Sequence, residues 1–198
     1  MMHYYIIYKP YSMLSQFSRE TPEQITLADL ATAFPKDVYP VGRLDADSEG
    51  LLLLTNDKTL NTRLLDPKKG HPRTYWVQVE GDPTEESLDA LRRGICIRVD
   101  GKEMVTRPAR VRRLEMTPDL PERVPPIRMR KTVPDCWLEI TLTEGKNRQV
   151  RRMCAAAGFP VLRLVRVGIG ELHLQHPALA GMQPGEVRTI TRGMLFGA

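Results

Sequence analysis

Cysteine is scarce in this chain. Only Cys96, Cys136 and Cys154 occur, far apart and odd in number, which excludes a disulfide scaffold and offers no paired spacing for zinc. They read as reduced, partly buried thiols of a cytosolic protein. Histidine is equally sparse. His173 and His176 stand three apart with no carboxylate or cysteine beside them, so they make no case for a metal site. No apolar run approaches a membrane span: the opening run of aromatic and branched residues stops at Lys9-Pro10, too short for a signal-peptide core or a transmembrane helix. Glycine-rich phosphate loops, dinucleotide fingerprints, repeats, low-complexity tracts and charged tails are also missing. The expectation is a cytoplasmic protein that needs no metal or cofactor.

What is present is ordinary globular material. The 198 residues are 41% hydrophobic and 27% charged, enough for one large domain or two small ones sharing a core. The formal net charge of +5 suits a partner with a phosphate backbone without requiring one.

The most informative stretch is 41–57, VGRLDADSEGLLLLTND. Four consecutive leucines, Leu51 to Leu54, bounded by turn signals read as a short strand buried on both faces. Arg43, Asp45, Asp47 and Glu49 therefore sit on a loop held by rigid core structure, where function tends to be placed. Read from the residues alone, Asp45 and Asp47 are equally at home as carboxylates bracing a turn through backbone hydrogen bonds.

Around this stretch the chain alternates strands and helices. Residues 3–8 read as an opening strand, followed by a turn. Thr21-Pro22-Glu23 opens an expected helix through Phe34, with Ile25, Leu27, Leu30 and Ala31 as its stripe. Asn56 or Asp57 caps a helix carrying Leu60, Leu64 and Leu65, stopped at Asp66-Pro67. Residues 74–80 alternate as a strand, in which Tyr75 by itself is a core aromatic as readily as a site residue. Asp82 and Pro83 mark the start of a helix through Leu88 and Leu91, closed near Gly94. Short β-like runs with interspersed arginines fill 95–115, and the proline-rich 118–135 reads as a long basic loop.

Residues 136–143 form a further alternating strand leading into EGKNRQVRRM, residues 144–153. Asn147 is placed to cap a helix ending near Gly158. Val150, Met153, Cys154 and Ala157 share one face, and Arg148, Arg151 and Arg152 the opposite one. A basic outer face of this kind is as often merely solvated as it is a binding surface.

Taken together, five strings resemble one family. GRLD, followed by polar residues, GLL and TN, resembles the catalytic motif of pseudouridine synthases of the RsuA/RluB/RluE type, and the family's catalytic aspartate falls on Asp45. IIYKPYSMLSQF, residues 6–17, resembles its first motif. EGKNRQVRRM resembles its third, in which Arg151 corresponds to the arginine paired with that aspartate. Arg73-Thr74-Tyr75 matches the strand start whose tyrosine, here Tyr75, lines the active site and packs on the target base. VPPIRMRK, residues 124–131, resembles a loop of the branch typified by RluE, which lacks the S4-type RNA-binding domain, and the expectation is that no such domain precedes the first strand.

The resemblance implies an α+β fold: a mixed, mainly antiparallel sheet flanked by helices, one catalytic domain over 1–198 built of two subdomains with a central RNA-binding cleft. It implies isomerisation of a single uridine in large-subunit (23S) ribosomal RNA, by a monomer acting on the RNA or on a ribosome assembly intermediate, without cofactor. Asp45, Tyr75 and Arg151 are the implied catalytic residues. Arg43, Lys146, Arg148, Gln149, Arg152, Arg128 and Arg130 are the implied RNA contacts, while Asp47 and Glu49 remain structural. The target atoms are inaccessible in a stacked base, so the nucleotide must be flipped out. Two rival readings stay open: an RNA-binding assembly factor without catalysis, and a glycoside hydrolase pairing Asp45 with Asp47 or Glu49.

Overall fold

The computed structural model describes residues 1–66, 68–127 and 132–197. In chain order the elements are β1 (Tyr4–Lys9), β2 (Met13–Leu14), β3 (Ile25–Thr26), β4 (Tyr39–Pro40), β5 (Glu49–Thr55), α1 (Lys58–Leu65), β6 (Arg73–Glu80), α2 (Glu85–Arg93), β7 (Cys96–Val99), β8 (Lys102–Val105), β9 (Arg110–Arg113), β10 (Asp135–Leu142), α3 (Gln149–Ala156), β11 (Val161–Ile169), β12 (Leu172–His173) and β13 (Val187–Thr189). This is the α+β class expected. Among the described residues no helix is long and apolar enough to cross a membrane.

The chain divides into two compact units, Met1–His71 with Val165–Ala198, and Pro72–Leu164. In the first, β1 lies between β13 and β5 with antiparallel pairing to each. β5 pairs antiparallel with β4 and parallel with β11. All seven residues of β5 are buried, as its leucine run predicts. Leu52 and Leu54 join Ile7, Met13, Leu27 and Val38 in one cluster, and by strand alternation Leu51 and Leu53 fill the opposite face. Gly50 is where β11 comes closest: with φ at +100°, a Cβ there would lie 2.3 Å from the Arg166 carbonyl, so only glycine fits.

In the second unit β6 and β9 flank β10, both antiparallel, and β7 and β8 form a separate hairpin. One core joins Val77 and Val79 of β6, Leu138 and Ile140 of β10, Leu88 and Leu91 of α2, and Val150 and Met153 of α3. The apolar faces read from the helical and strand periods are the ones buried.

Three local expectations are corrected. Residues 21–34 contain no α-helix. They form β3 and a single 3-10 turn, Leu27–Asp29. Thr26 accepts from the Ala28 N–H at 3.3 Å while Asp29 accepts from the Thr26 N–H at 2.8 Å. Those local bonds close the turn after one cycle, and Ile25 is left 47% exposed, so the apparent stripe is not a buried face. Secondly, α2 is capped by Thr84, not Asp82, because Asp82 is ion-paired with Arg113 at 2.5 Å. Thirdly, α3 starts from Arg148 in the left-handed region at φ 50°, with no side-chain cap. Asn147 lies one residue before that start, and its carbonyl and amide oxygen both accept from Arg152, at 3.0 and 3.1 Å.

The cap of α1 is the expected one. The Asp57 carboxylate accepts from the Thr59 hydroxyl at 2.6 Å, from the Thr59 and Leu60 N–H groups at 3.0 Å and from the Tyr4 hydroxyl at 2.9 Å. The Thr59 hydroxyl bond leads these in holding the carboxyl down at about 2, against the opposing effect of burial. A depressed carboxyl stabilises the fold above its unfolded value, about 3.9, and that stabilisation is lost as pH falls through about 2. Asp57→Ala is expected to cost about 1 kcal/mol at neutral pH. In denaturant titrations over a pH series the deficit should shrink between about pH 4 and about pH 2. A deficit unchanged at pH 2 would refute this origin.

Candidate active site

Asp45 occupies a tight turn leading into β5. The Ser48 N–H donates to the Asp45 carbonyl at 3.0 Å, closing the turn. Leu44 on one side is buried and Asp45 is half-buried, so the backbone is anchored in the core while the carboxylate keeps access to solvent. Arg43 is exposed, and its Nη2 donates to Gln16 Oε1 at 3.1 Å.

Beneath this turn lies a buried ionic cluster that motif reading did not anticipate. Lys9 at the end of β1 is 0% exposed. Its Nζ donates to the carbonyls of Pro10 at 2.9 Å, Met13 at 2.7 Å and Ala46 at 3.4 Å. Glu49, Asp47 and Asp45 lie within its electrostatic reach, as does Arg166. Arg166, 4% exposed, donates through Nε to the Leu51 carbonyl at 2.7 Å. Glu49 is therefore a buried strand residue within this charged cluster. The available signal was a cation inside an otherwise apolar run, at Lys9 in YYIIYK and at Arg166 in VLRLVRVGI, since such residues are buried only when paired.

Tyr75, Arg151 and the third-motif residues belong to the second unit. Tyr75 lies opposite Ile140 and is half-buried against the core of that unit. Arg151 is half-buried, its Nη1 donating to the Val161 carbonyl at 3.5 Å. Lys146 and Arg148 are exposed, and the Arg73 guanidinium runs beside Gly145, so three cations converge on the 144–148 turn.

Two expected RNA contacts also make internal hydrogen bonds. Gln149 is 4% exposed. Its amide donates to Glu144 at 2.7 Å and accepts from the Lys146 N–H at 2.9 Å, which shapes the turn from within. Arg152 is spent on Asn147 and the Arg98 carbonyl. Arg152 was placed on the outer face by helical period, which carries no information about the preceding turn, and Gln149 was taken from the motif resemblance. Arg128 and Arg130 lie outside the described residues.

Cys96 is exposed, Cys136 half-buried and Cys154 buried; all are free. Burial pushes the Cys154 thiol up to about 12, which leaves it inert at neutral pH. Among the described residues no group of histidine, cysteine and carboxylate side chains is placed to hold a metal ion.

Residues 3–156 match the profile of the RNA pseudouridylate synthase family. The chain belongs to this family. Ribosomal large subunit pseudouridine synthase E of Xanthomonas campestris is 56% identical over 184 residues, 92% of each chain. The protein of the same name from Vibrio vulnificus is 50% identical over 94% of this chain and 74% of its own. Ribosomal large subunit pseudouridine synthase B of Bacillus subtilis is 34% identical over 95% and 68%. A crystal structure of a pseudouridylate synthase superposes with a TM-score of 0.76 at 27% identity, covering 98% of this chain and 73% of that one.

Burial, opposed by the neighbouring carboxylates, lowers the Lys9 ammonium to about 7. Since the unfolded value is about 10.4, the unfolded chain binds the extra proton above pH 7. Stability from this group therefore rises with pH across that window, at no more than about 1.4 kcal/mol per pH unit. Lys9→Met should lack the rise, so the stability difference in favour of wild type should grow between about pH 7 and about pH 10. A pH-independent difference in urea titrations would refute it.

Proposed function

We propose that this protein isomerises a specific uridine to pseudouridine in large-subunit ribosomal RNA, with Asp45 as the essential carboxylate. The reaction breaks the bond from ribose C1′ to uracil N1 and forms a bond from C1′ to C5. N1 gains a proton and the C5 hydrogen leaves to solvent, so no atoms are gained or lost by the nucleoside and no redox partner is needed. The single observation that carries this reading is the likeness to large-subunit pseudouridine synthases across more than nine-tenths of the chain.

Asp45 suits nucleophilic or basic work because a half-buried carboxylate on a core-anchored turn is pre-oriented yet reachable. Tyr75 is assigned the stacking on the displaced uracil and Arg151 the role of a catalytic cation, as the family resemblance implies. Arg43, Lys146 and Arg148, all exposed, bind the phosphates flanking the flipped nucleotide, with Arg128 and Arg130 extending that contact. Gln149 and Arg152 act at one remove, by shaping the turn that carries Lys146 and Arg148. The protein works as a monomer in the cytoplasm, on the RNA or on an assembly intermediate that presents it. The two units function as one catalytic domain.

The test is tritium release from large-subunit rRNA labelled at C5 of uridine. Wild type should release label and Asp45→Ala should be slower by at least about 100-fold at equal melting temperature. Arg151→Lys keeps the charge but loses the bidentate geometry and should also slow turnover. Full turnover by Asp45→Ala would refute the assignment. Tight RNA binding with no release by wild type would favour a non-catalytic assembly factor, and free uracil among the products would favour a hydrolase.

A further inference from the structure

We propose that residues 12–16 are a positioning template for the catalytic turn, in which Ser15 sets the conformation of Asp45 and Gln16 sets that of Arg43. The inference rests on Asp45 being the essential carboxylate. Four contacts match the two segments residue by residue. The Ser12 N–H donates to the Ala46 carbonyl at 2.8 Å. The Ser15 hydroxyl donates to the Leu44 carbonyl at 2.7 Å and accepts from the Leu44 N–H at 3.0 Å. Gln16 Oε1 accepts from Arg43 Nη2 at 3.1 Å.

The geometry explains why Ser15 acts on Asp45 without touching its carboxylate. The two backbone torsions of Asp45 are fixed by the planes of the peptides on either side of it. Leu44 supplies the carbonyl of the preceding peptide, which Ser15 holds. The following peptide's carbonyl is that of Asp45 itself, held by the Ser48 N–H at 3.0 Å. With both planes pinned, the carboxylate has only its side-chain torsions left. Ser15 is 4% exposed, so water cannot readily replace its hydroxyl, and one hydroxyl serves Leu44 as donor and acceptor at once. Removing it frees both Leu44 peptide groups together.

Gln16 is itself fixed before it meets Arg43. Its carbonyl accepts from the Leu27 N–H at 2.9 Å, and its Nε2 donates to the Ser18 carbonyl at 2.9 Å. That second bond orients the amide so that Oε1 faces the arginine. The template therefore divides its work. Ser15 governs the reacting carboxylate and should affect the chemical step, while Gln16 governs a cation proposed to bind phosphate and should affect RNA affinity.

The experiment is single-turnover tritium release from C5-labelled large-subunit rRNA, together with RNA affinity and melting temperature, for Ser15→Ala, Ser15→Thr, Gln16→Leu and Asp45→Ala. Ser15→Ala should slow the chemical step by about 100-fold, the scale expected for a small misplacement of a reacting group, with RNA affinity unchanged. Ser15→Thr, which retains the hydroxyl, should recover most of the rate. Gln16→Leu should weaken RNA binding by no more than about tenfold, the worth of one hydrogen bond, with the chemical step intact.

A wild-type rate in Ser15→Ala overturns the inference. So does a loss that Ser15→Thr does not recover, because that marks a packing role. If Ser15→Ala does not fold, Ser15→Cys, with its weak donor, is judged by the same rate criterion. Turnover lost in Asp45→Ala but kept in Ser15→Ala overturns only the template. Turnover kept in Asp45→Ala removes the assignment of Asp45 and the template with it.

Discussion

The first unit depends on one constraint: the backbone of the turn at Asp45 must have its polar groups satisfied although it adjoins a fully buried apolar strand. Burying a carbonyl or N–H without a partner costs more than a typical hydrogen bond returns. The chain meets this with groups from distant segments. Lys9 and the Ser12 N–H serve the Ala46 carbonyl, Ser15 serves both peptide groups of Leu44, and Arg166 serves the Leu51 carbonyl. These bonds hold the backbone of the turn while Asp45, like Ala46 and Asp47 after it, stays half-buried.

Burying cations for this purpose is costly in itself, since an isolated charge in a poorly polarisable interior is strongly disfavoured. The surrounding carboxylates of Glu49, Asp47 and Asp45 offset part of that cost for Lys9, yet burial remains the dominant effect on its ammonium. Gly50 belongs to the same arrangement, because the close approach that brings Arg166 alongside the turn leaves no space for a Cβ. The second unit solves a similar problem in its own turn: the buried Glu144 and Gln149 side chains organise it together with the Gln149 N–H to Lys146 carbonyl bond, and Lys146 and Arg148 are left exposed.

Much of this was legible from residue order. The leucine run between turn signals became β5, the alternation read in 74–80 and 136–143 became β6 and β10, each starting one residue earlier, and Val150, Met153 and Cys154 became the buried face of α3. The misreadings have two causes. The helix expected over 21–34 was read from an apolar stripe that a local turn interrupts, whereas the caps at Asp82 and Asn147 assumed side chains without other partners. Asp29 closes a turn on Thr26, while Arg113 occupies Asp82 and Arg152 occupies Asn147. Arg152 was placed outward by helical period, although its partners are Asn147 in the turn before the helix and Arg98 in β7.

The sequence by itself determined most element types and apolar faces, 21–34 excepted, and the family, because periodicity, turn chemistry and contiguous motifs are carried by neighbouring residues. Tertiary structure alone decided which polar side chain meets which backbone group: Lys9 with Ala46, Ser15 with Leu44, Arg166 with Leu51. Those pairs are separated by 37, 29 and 115 positions, and no local pattern encodes a contact whose partner is chosen only when the strands between them have paired.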